Sequence, residues 1–176
     1  MKTTVKKIVA VLLLTFTGAY AQEKETKNYD QGFRIGFGVN AGIPTEDPYD
    51  FNVSGDVRLQ YDFSKKYSMT LTTGFGNFFQ SGKNNDLGYI PAKLGFKAFV
   101  LKDQFYILGE AGAAFAVTNN YDKTSLVLSP GIGYANDIID ISLRYEHFND
   151  FPVIKNGIID EGLGQIALRI AYGFKL

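Results

Sequence analysis

The stretch Gln165, Ile166, Ala167, Leu168, Arg169, Ile170, Ala171, Tyr172, Gly173, Phe174, Lys175, Leu176 ends the chain, and every even position in it is apolar. A period of two belongs to a β-strand with one apolar and one polar face, because successive side chains leave a strand on opposite sides. Working backward, the same period recurs in segments expected near residues 32–42, 51–63, 67–79, 88–100, 104–117, 124–135 and 138–148, with the last strand at 163–176. Short connections at 64–66, 101–103 and 136–137 alternate with longer polar ones at 43–50, 80–87, around Tyr121 and at 149–162. Strands joined this way, with short turns on one side and longer loops on the other, fit a barrel whose apolar face meets lipid and whose last strand pairs with the first. In such a barrel the short turns face the periplasm.

The first residues are read separately. Lys2, Lys6 and Lys7 precede a short apolar run from Ile8 to Phe16, and Ala19-Tyr20-Ala21 supplies small residues for cleavage before Gln22. Residues 1–21 are therefore expected to be a cleaved secretory signal peptide. The run is shorter than the roughly 20 apolar residues of a spanning helix. Residues 22–31 read as a polar lead-in and 32–176 as the barrel domain.

Removal of residues 1–21 takes three of the 18 basic residues and none of the 18 acidic ones. The remaining acidic balance offers nucleic acid no basic footprint. The absence of cysteine excludes disulfides and thiolate metal sites. The 19 Gly, 15 Phe and 11 Tyr suit strands and tight turns.

The two faces differ in kind. One carries residues such as Phe37, Leu59, Leu71, Leu94, Ile107, Leu128, Leu143 and Leu168, without a charge. The other carries Arg34, Asp56, Arg58, Lys93, Lys97, Glu110, Asp140, Arg144, Glu146 and Arg169, interleaved with glycines. An eight-stranded barrel has an interior just wide enough for its own side chains to fill. The charged set is therefore expected to form a packed ion-pair network in the lumen, with pairs such as Glu110 with Arg144 and Asp56 with Lys93. The rival reading of the same face is a conduction path. Aromatic residues fall toward two levels, Phe51, Phe78, Phe79, Tyr89, Phe115, Tyr121 and Phe148 at one and Tyr61, Phe63, Tyr67, Phe99, Phe105, Tyr134, Tyr172 and Phe174 at the other, as two interfacial girdles. Pro130 lacks a ladder donor inside a strand that has no free edge, which predicts a bulge around Ser129-Pro130-Gly131.

The Ala19-Tyr20-Ala21 signal, the alternating segments, Ser129-Pro130-Gly131-Ile132-Gly133-Tyr134, Leu143-Arg144-Tyr145-Glu146 and the ending Tyr172-Gly173-Phe174-Lys175-Leu176 together resemble the small outer-membrane β-barrel proteins of the OmpX and OmpA membrane-domain type. The resemblance implies an all-β, eight-stranded antiparallel up-and-down transmembrane barrel in the cell outer membrane. It also implies contact with outer-membrane lipid and lipopolysaccharide, and insertion by the outer-membrane barrel assembly machinery. The C-terminal signal for that machinery would lie on Tyr172, Phe174 and Leu176, with Leu176 where the family usually has an aromatic.

Chemical motifs are sparse. His147, the one histidine, stands in Arg144-Tyr145-Glu146-His147-Phe148-Asn149, which resembles the Arg-Tyr-x-His-x-Ser-Asn neighbourhood of outer-membrane lipid A deacylases. Glu161 lies where that family's later acid would, but Asn149 replaces the serine, and an amide is not activated as a nucleophile by a histidine base. Gly36, Gly38 and Gly42 precede Pro44 and an acidic loop rather than a helix, so they read as strand glycines and not as a phosphate loop. Glu46, Asp47 and Asp50, with Asp150, Asp160 and Glu161, read as solvated loop charges, a calcium-type site being the alternative. No cofactor and no catalytic residue is expected. The expected role is a non-enzymatic one in membrane integrity or surface interaction through the loops. The alternatives are a narrow pore, a lipid A deacylase-like enzyme and a soluble periplasmic carrier with an apolar interior.

Overall fold

The computed structural model describes residues 31–80, 86–100, 104–118, 121–155 and 157–176. The expected signal peptide, most of the lead-in, the turn at 101–103 and much of the loop at 80–87 lie outside the described residues. The described residues form β1 (Gly32–Pro44), β2 (Phe51–Asp62), β3 (Tyr67–Phe79), β4 (Leu87–Val100), β5 (Phe105–Ala116), β6 (Thr124–Ala135), β7 (Ile139–Lys155) and β8 (Ile158–Lys175). Each strand pairs antiparallel with its chain neighbour, and β1 closes on β8 from Arg34 opposite Lys175 to Pro44 opposite Gln165, making a closed barrel. Closure satisfies the sheet edges that would otherwise stand bare.

The apolar face points outward. Phe37, Leu71, Leu94, Ile107, Leu128, Leu143, Leu168 and Tyr172 are all exposed, while the alternate positions face the lumen. Several lumen glycines make room for a large side chain from the adjoining strand. A Cβ on Gly76 would sit 2.5 Å from the Tyr89 ring, and one on Gly38 would sit 2.8 Å from the Arg169 guanidinium. Small residues opposite large ones are how a narrow lumen packs without voids. Leu143, outward in β7 opposite Leu168, tests the lipid-facing assignment. Replacing it with arginine is expected to destabilise the barrel by about 2–4 kcal/mol in a bilayer, read as a shift in urea unfolding in lipid vesicles.

Three expectations change. The predicted bulge at Pro130 is absent, because β6 pairs with β7 in one unbroken register, with Leu128 opposite His147 and Gly131 opposite Arg144. The ladder is open between those rungs, which accommodates the missing N–H without an inserted residue. Pro91 in β4 sits at a similar opening, between the rungs Thr73 with Ala92 and Gly76 with Tyr89. The bulge lies instead in β7, between Phe148 and Pro152. The expected loop at 149–162 is a continuation of β7 and β8 as a hairpin, with Val153 opposite Asp160 and Ile154 opposite Ile159. Its reversal is helped by Gly157, whose φ of 77° lies in the left-handed region.

The girdles also change. Phe51 and Phe115 are exposed at the loop end, and Tyr61, Tyr67, Phe105, Tyr134, Tyr172 and Phe174 keep outward or partly exposed positions at the turn end. Phe78, Tyr89 and Phe148, however, are buried inside. They share strand parity with Thr72, Lys93 and Arg144 respectively, so they point into the lumen with those residues.

Candidate functional site

The lumen has three storeys, set by what each strand places at its inward positions. At the loop end Phe78, Tyr89, Phe148, Phe151, Val153 and Leu163 join Tyr49, Leu87, Ala114, Ala116 and Val127 in an apolar cluster. The Phe78 ring lies 5.2 Å from Tyr89, 5.4 Å from Phe148 and 5.5 Å from Tyr49, and Phe148 stacks on Phe151 at 5.1 Å. The segment between β1 and β2 contributes Tyr49 and is tied down at both sides. Thr45 N donates to Gly164 O at 2.9 Å and Ile154 N donates to Asp47 O at 2.6 Å. Burial, with Tyr121 and Asp86 nearby, pushes the Tyr49 phenol up to about 12, so this ring stays neutral among its apolar neighbours.

Below the plug lies a charged layer. Glu110 on β5 accepts from Arg58 Nη2 at 2.7 Å and from Arg144 Nη1 at 3.1 Å, with Lys93 Nζ 3.4 Å away. Lys93 also donates to Glu146 at 2.6 Å, and Glu146 accepts from Gln165 Nε2 at 2.6 Å. Arg169 grips Asp56 through Nε at 2.8 Å and Nη2 at 2.5 Å, the two-pronged geometry that makes an arginine–carboxylate pair specific. Asn40 Nδ2 donates to Asp56 at 2.8 Å, and Arg144 in turn donates to Asn40 Oδ1. Asp140 pairs with Lys97 and accepts from Tyr106 Oη at 2.5 Å, and Lys97 also stands 4.2 Å over the Tyr106 ring. Arg34, nearest the turn end, donates through Nε to Asp62 at 2.8 Å.

The structure therefore gathers nine of the ten candidate lumen residues into one connected layer and sets Arg34 apart with Asp62. Glu110 meets Arg144, whereas Asp56 is held by Arg169 and Lys93 by Glu146. Sequence reading missed Asn40, Asp62, Tyr106 and Gln165, which carry as many bonds as some of the charged residues. Their inward parity was legible, but the neutral Asn40, Tyr106 and Gln165 do not announce a partner, and Asp62 stands at the end of β2, beside the turn. The third storey, at the turn end, is a cavity of about 380 Å³.

The other candidates stay apart. His147 faces outward beside Tyr145, their rings 6.5 Å apart and nearly parallel. Glu161 is taken by Lys123 at 2.8 Å rather than by His147. Glu46 accepts from Thr45 Oγ1 at 2.5 Å and from Gly164 N at 2.8 Å, and Asp150 accepts from Leu126 N at 3.3 Å. These carboxylates fasten the loop end. Among the described residues no group of three or more His, Asp or Glu side chains converges as a metal site. Tyr172, Phe174 and Leu176 lie exposed on one outward stripe, and Leu176 N donates to Phe33 O at 2.9 Å.

Sequence comparison finds no matching family model and no matching curated protein. Comparison of folds does find matches. The N-terminal β-barrel domain of Pseudomonas aeruginosa OprF superposes with a TM-score of 0.57 at 8% identity, covering 82% of this chain and 100% of that one. Ail, the attachment invasion locus protein of Yersinia pestis, solved with the heparin analogue sucrose octasulfate, gives 0.55 at 17% identity over 83% of this chain and 100% of Ail. A de novo designed transmembrane β-barrel gives 0.51 at 17% identity over 82% and 98%. By its closed eight-stranded sheet and these neighbours, the chain has the fold of the small outer-membrane β-barrels.

Proposed function

We propose that this protein is an integral outer-membrane barrel, exported through its cleaved N-terminal signal and inserted by the barrel assembly machinery. In this reading it serves envelope integrity or surface interaction and neither conducts nor catalyses. The observation that carries it is the filled upper lumen. Among the described residues an apolar cluster sits above a layer of paired charges, with a cavity of about 20 Å³ between them, roughly the space of a single water. That filling speaks against the narrow-pore reading. The outward apolar belt and charged interior are the reverse of what a soluble carrier with an apolar interior needs. Glu161 bound to Lys123 rather than to His147, with Asn149 in the serine's place, weighs against a deacylase.

Interaction through the loop end would differ from that in the Ail complex, whose ligand is a sulfated sugar. Here that end carries Glu46, Asp47, Asp86, Asp122 and Asp150, with Lys123 already paired. Such a surface favours a cationic partner over an anionic glycan.

The test is electrophoresis of the mature protein from isolated membranes, with and without boiling, followed by planar-bilayer recording of the purified protein. A membrane-fraction band that shifts on heating, with a silent bilayer, is expected. Discrete conductance steps would move the assignment to a pore, and a soluble, unshifting band would overturn the membrane assignment.

A further inference from the structure

The lipid-facing belt is not even. On β5 the outward positions run Phe105, Ile107, Gly109, Ala111, Ala113, Phe115, so large side chains at both ends enclose small ones. One rung of the sheet sets Phe96, Gly109 and Pro130 side by side on β4, β5 and β6, and the next outward rung sets Leu94, Ala111 and Leu128. In each the β5 residue is the small one, and a Cβ on Gly109 would meet nothing within 4 Å. The result is a hollow of about 580 Å³ between the large residues of β4 and β6, with Gly109 and Ala111 as its floor. Ile107, 58% exposed, stands next along β5 toward the turn end. Beside the hollow stands Leu94, 60% exposed, the most prominent apolar side chain of β4 and the cross-strand partner of Ala111.

We propose that this hollow docks a second copy of the chain, each copy seating its Leu94 in the hollow of the other; the proposal rests on the membrane reading above. Depth in the bilayer selects this occupant. Two barrels inserted by the same route share one orientation, so the twofold axis relating them runs along the membrane normal and keeps every residue at its own depth. A patch then pairs with its own copy only if knob and hollow lie side by side at about one depth, as directly opposite residues on adjacent strands do. Leu94 and Ala111 meet that condition, which puts the axis between β4 and β5. An acyl chain is the poorer fit, because it needs a furrow open along its length and Ile107 and Phe115 stand across the two ends. Fluid lipid also loses conformational freedom when held in a rigid hollow, whereas small residues at an interface let two backbones approach closely.

Sedimentation equilibrium of the mature protein in a density-matched non-ionic detergent reads the association, and a monomer–dimer equilibrium is expected. Ala111→Phe fills the hollow and is expected to weaken the dimer about tenfold, the scale of close packing between membrane-embedded elements. Ile170→Phe, outward on β8 at the far side of the barrel, is expected to leave it unchanged. Oxidation in lipid vesicles reads the geometry: Leu94→Cys should cross-link two copies, since the axis brings them together, and Ile170→Cys should not. The heat-dependent band shift shows that each variant is a folded barrel. Its absence from the unmodified protein would overturn the membrane reading and the docking with it, whereas a shifted band without a dimer would overturn the docking alone. A dimer that Ala111→Phe does not weaken, or no cross-link through Leu94→Cys, would also overturn it. So would a monomer that keeps one phospholipid in native mass spectrometry and loses it in Ala111→Phe, since that gives the hollow to an acyl chain.

Discussion

Replacing Glu110 with alanine is expected to lower the unfolding free energy by about 3–5 kcal/mol, the range for removing one partner of a buried charge network. Glu110 is the carboxylate on which Arg58, Lys93 and Arg144 converge. Its loss leaves three cations facing one another where water is nearly excluded, and only Glu146 remains near Lys93 and Arg144. The readout is the midpoint of the heat-induced band shift in SDS, or urea unfolding in lipid vesicles. Arg144→Ala should move the same way by less, because Lys93 and Arg58 still serve Glu110. Lys123→Ala removes an exposed, solvent-screened pair with Glu161 and is expected to leave the midpoint almost unchanged. If Glu110→Ala melts like Lys123→Ala, the charged layer does not hold the barrel together.

Phe78→Ala is the second large effect, expected at about 3–5 kcal/mol from lost burial and the cavity left behind. Phe78 is fully buried and contacts Tyr49, Tyr89, Phe148 and Phe151. It therefore joins three elements, the β1–β2 segment, β4 and the β7–β8 hairpin, and its removal should loosen the loop end before the membrane-spanning ladder. Hydrogen exchange at the amides of Thr45 and Ile154, which bond across that end, should quicken in the variant while exchange near Leu143 stays slow. Phe115→Ala is the control at a similar level. Its ring faces outward, and it should leave that exchange unchanged.

The contrast between these two aromatics shows where sequence reading reached and where it stopped. Phe78 and Phe115 were placed at the same height, and only parity separates them. Phe78 lies with Thr72 on inward positions of β3, and Phe115 lies with Ile107 on outward positions of β5. That signal was present in the chain. Phe151 was not legible by any period, since the irregularity between Phe148 and Pro152 shifts the register and turns both Phe151 and Val153 inward. Pro130 failed in the opposite sense. A missing donor was expected to force a bulge, but two strands can leave a ladder open locally without changing register.

Eight strands, their up-and-down order and which face of each points outward were legible in the chain, because all three follow from a period of two interrupted by turns; the extension of β7 and β8 through 149–162 was not. Such a period is a local property, carried by each segment independently. The partners inside the lumen were decided only by tertiary structure. Arg169 finds Asp56 at a separation of 113 residues, and Asp56 could not be told from Glu110 or Asp140 as its partner until shear and closure set the heights of the strands. The same closure decided that the loop half of the lumen is apolar, that the charged layer fills the middle, and that a cavity remains at the turn end. Each of these is a distance between side chains from different strands, and no period along one strand encodes such a distance.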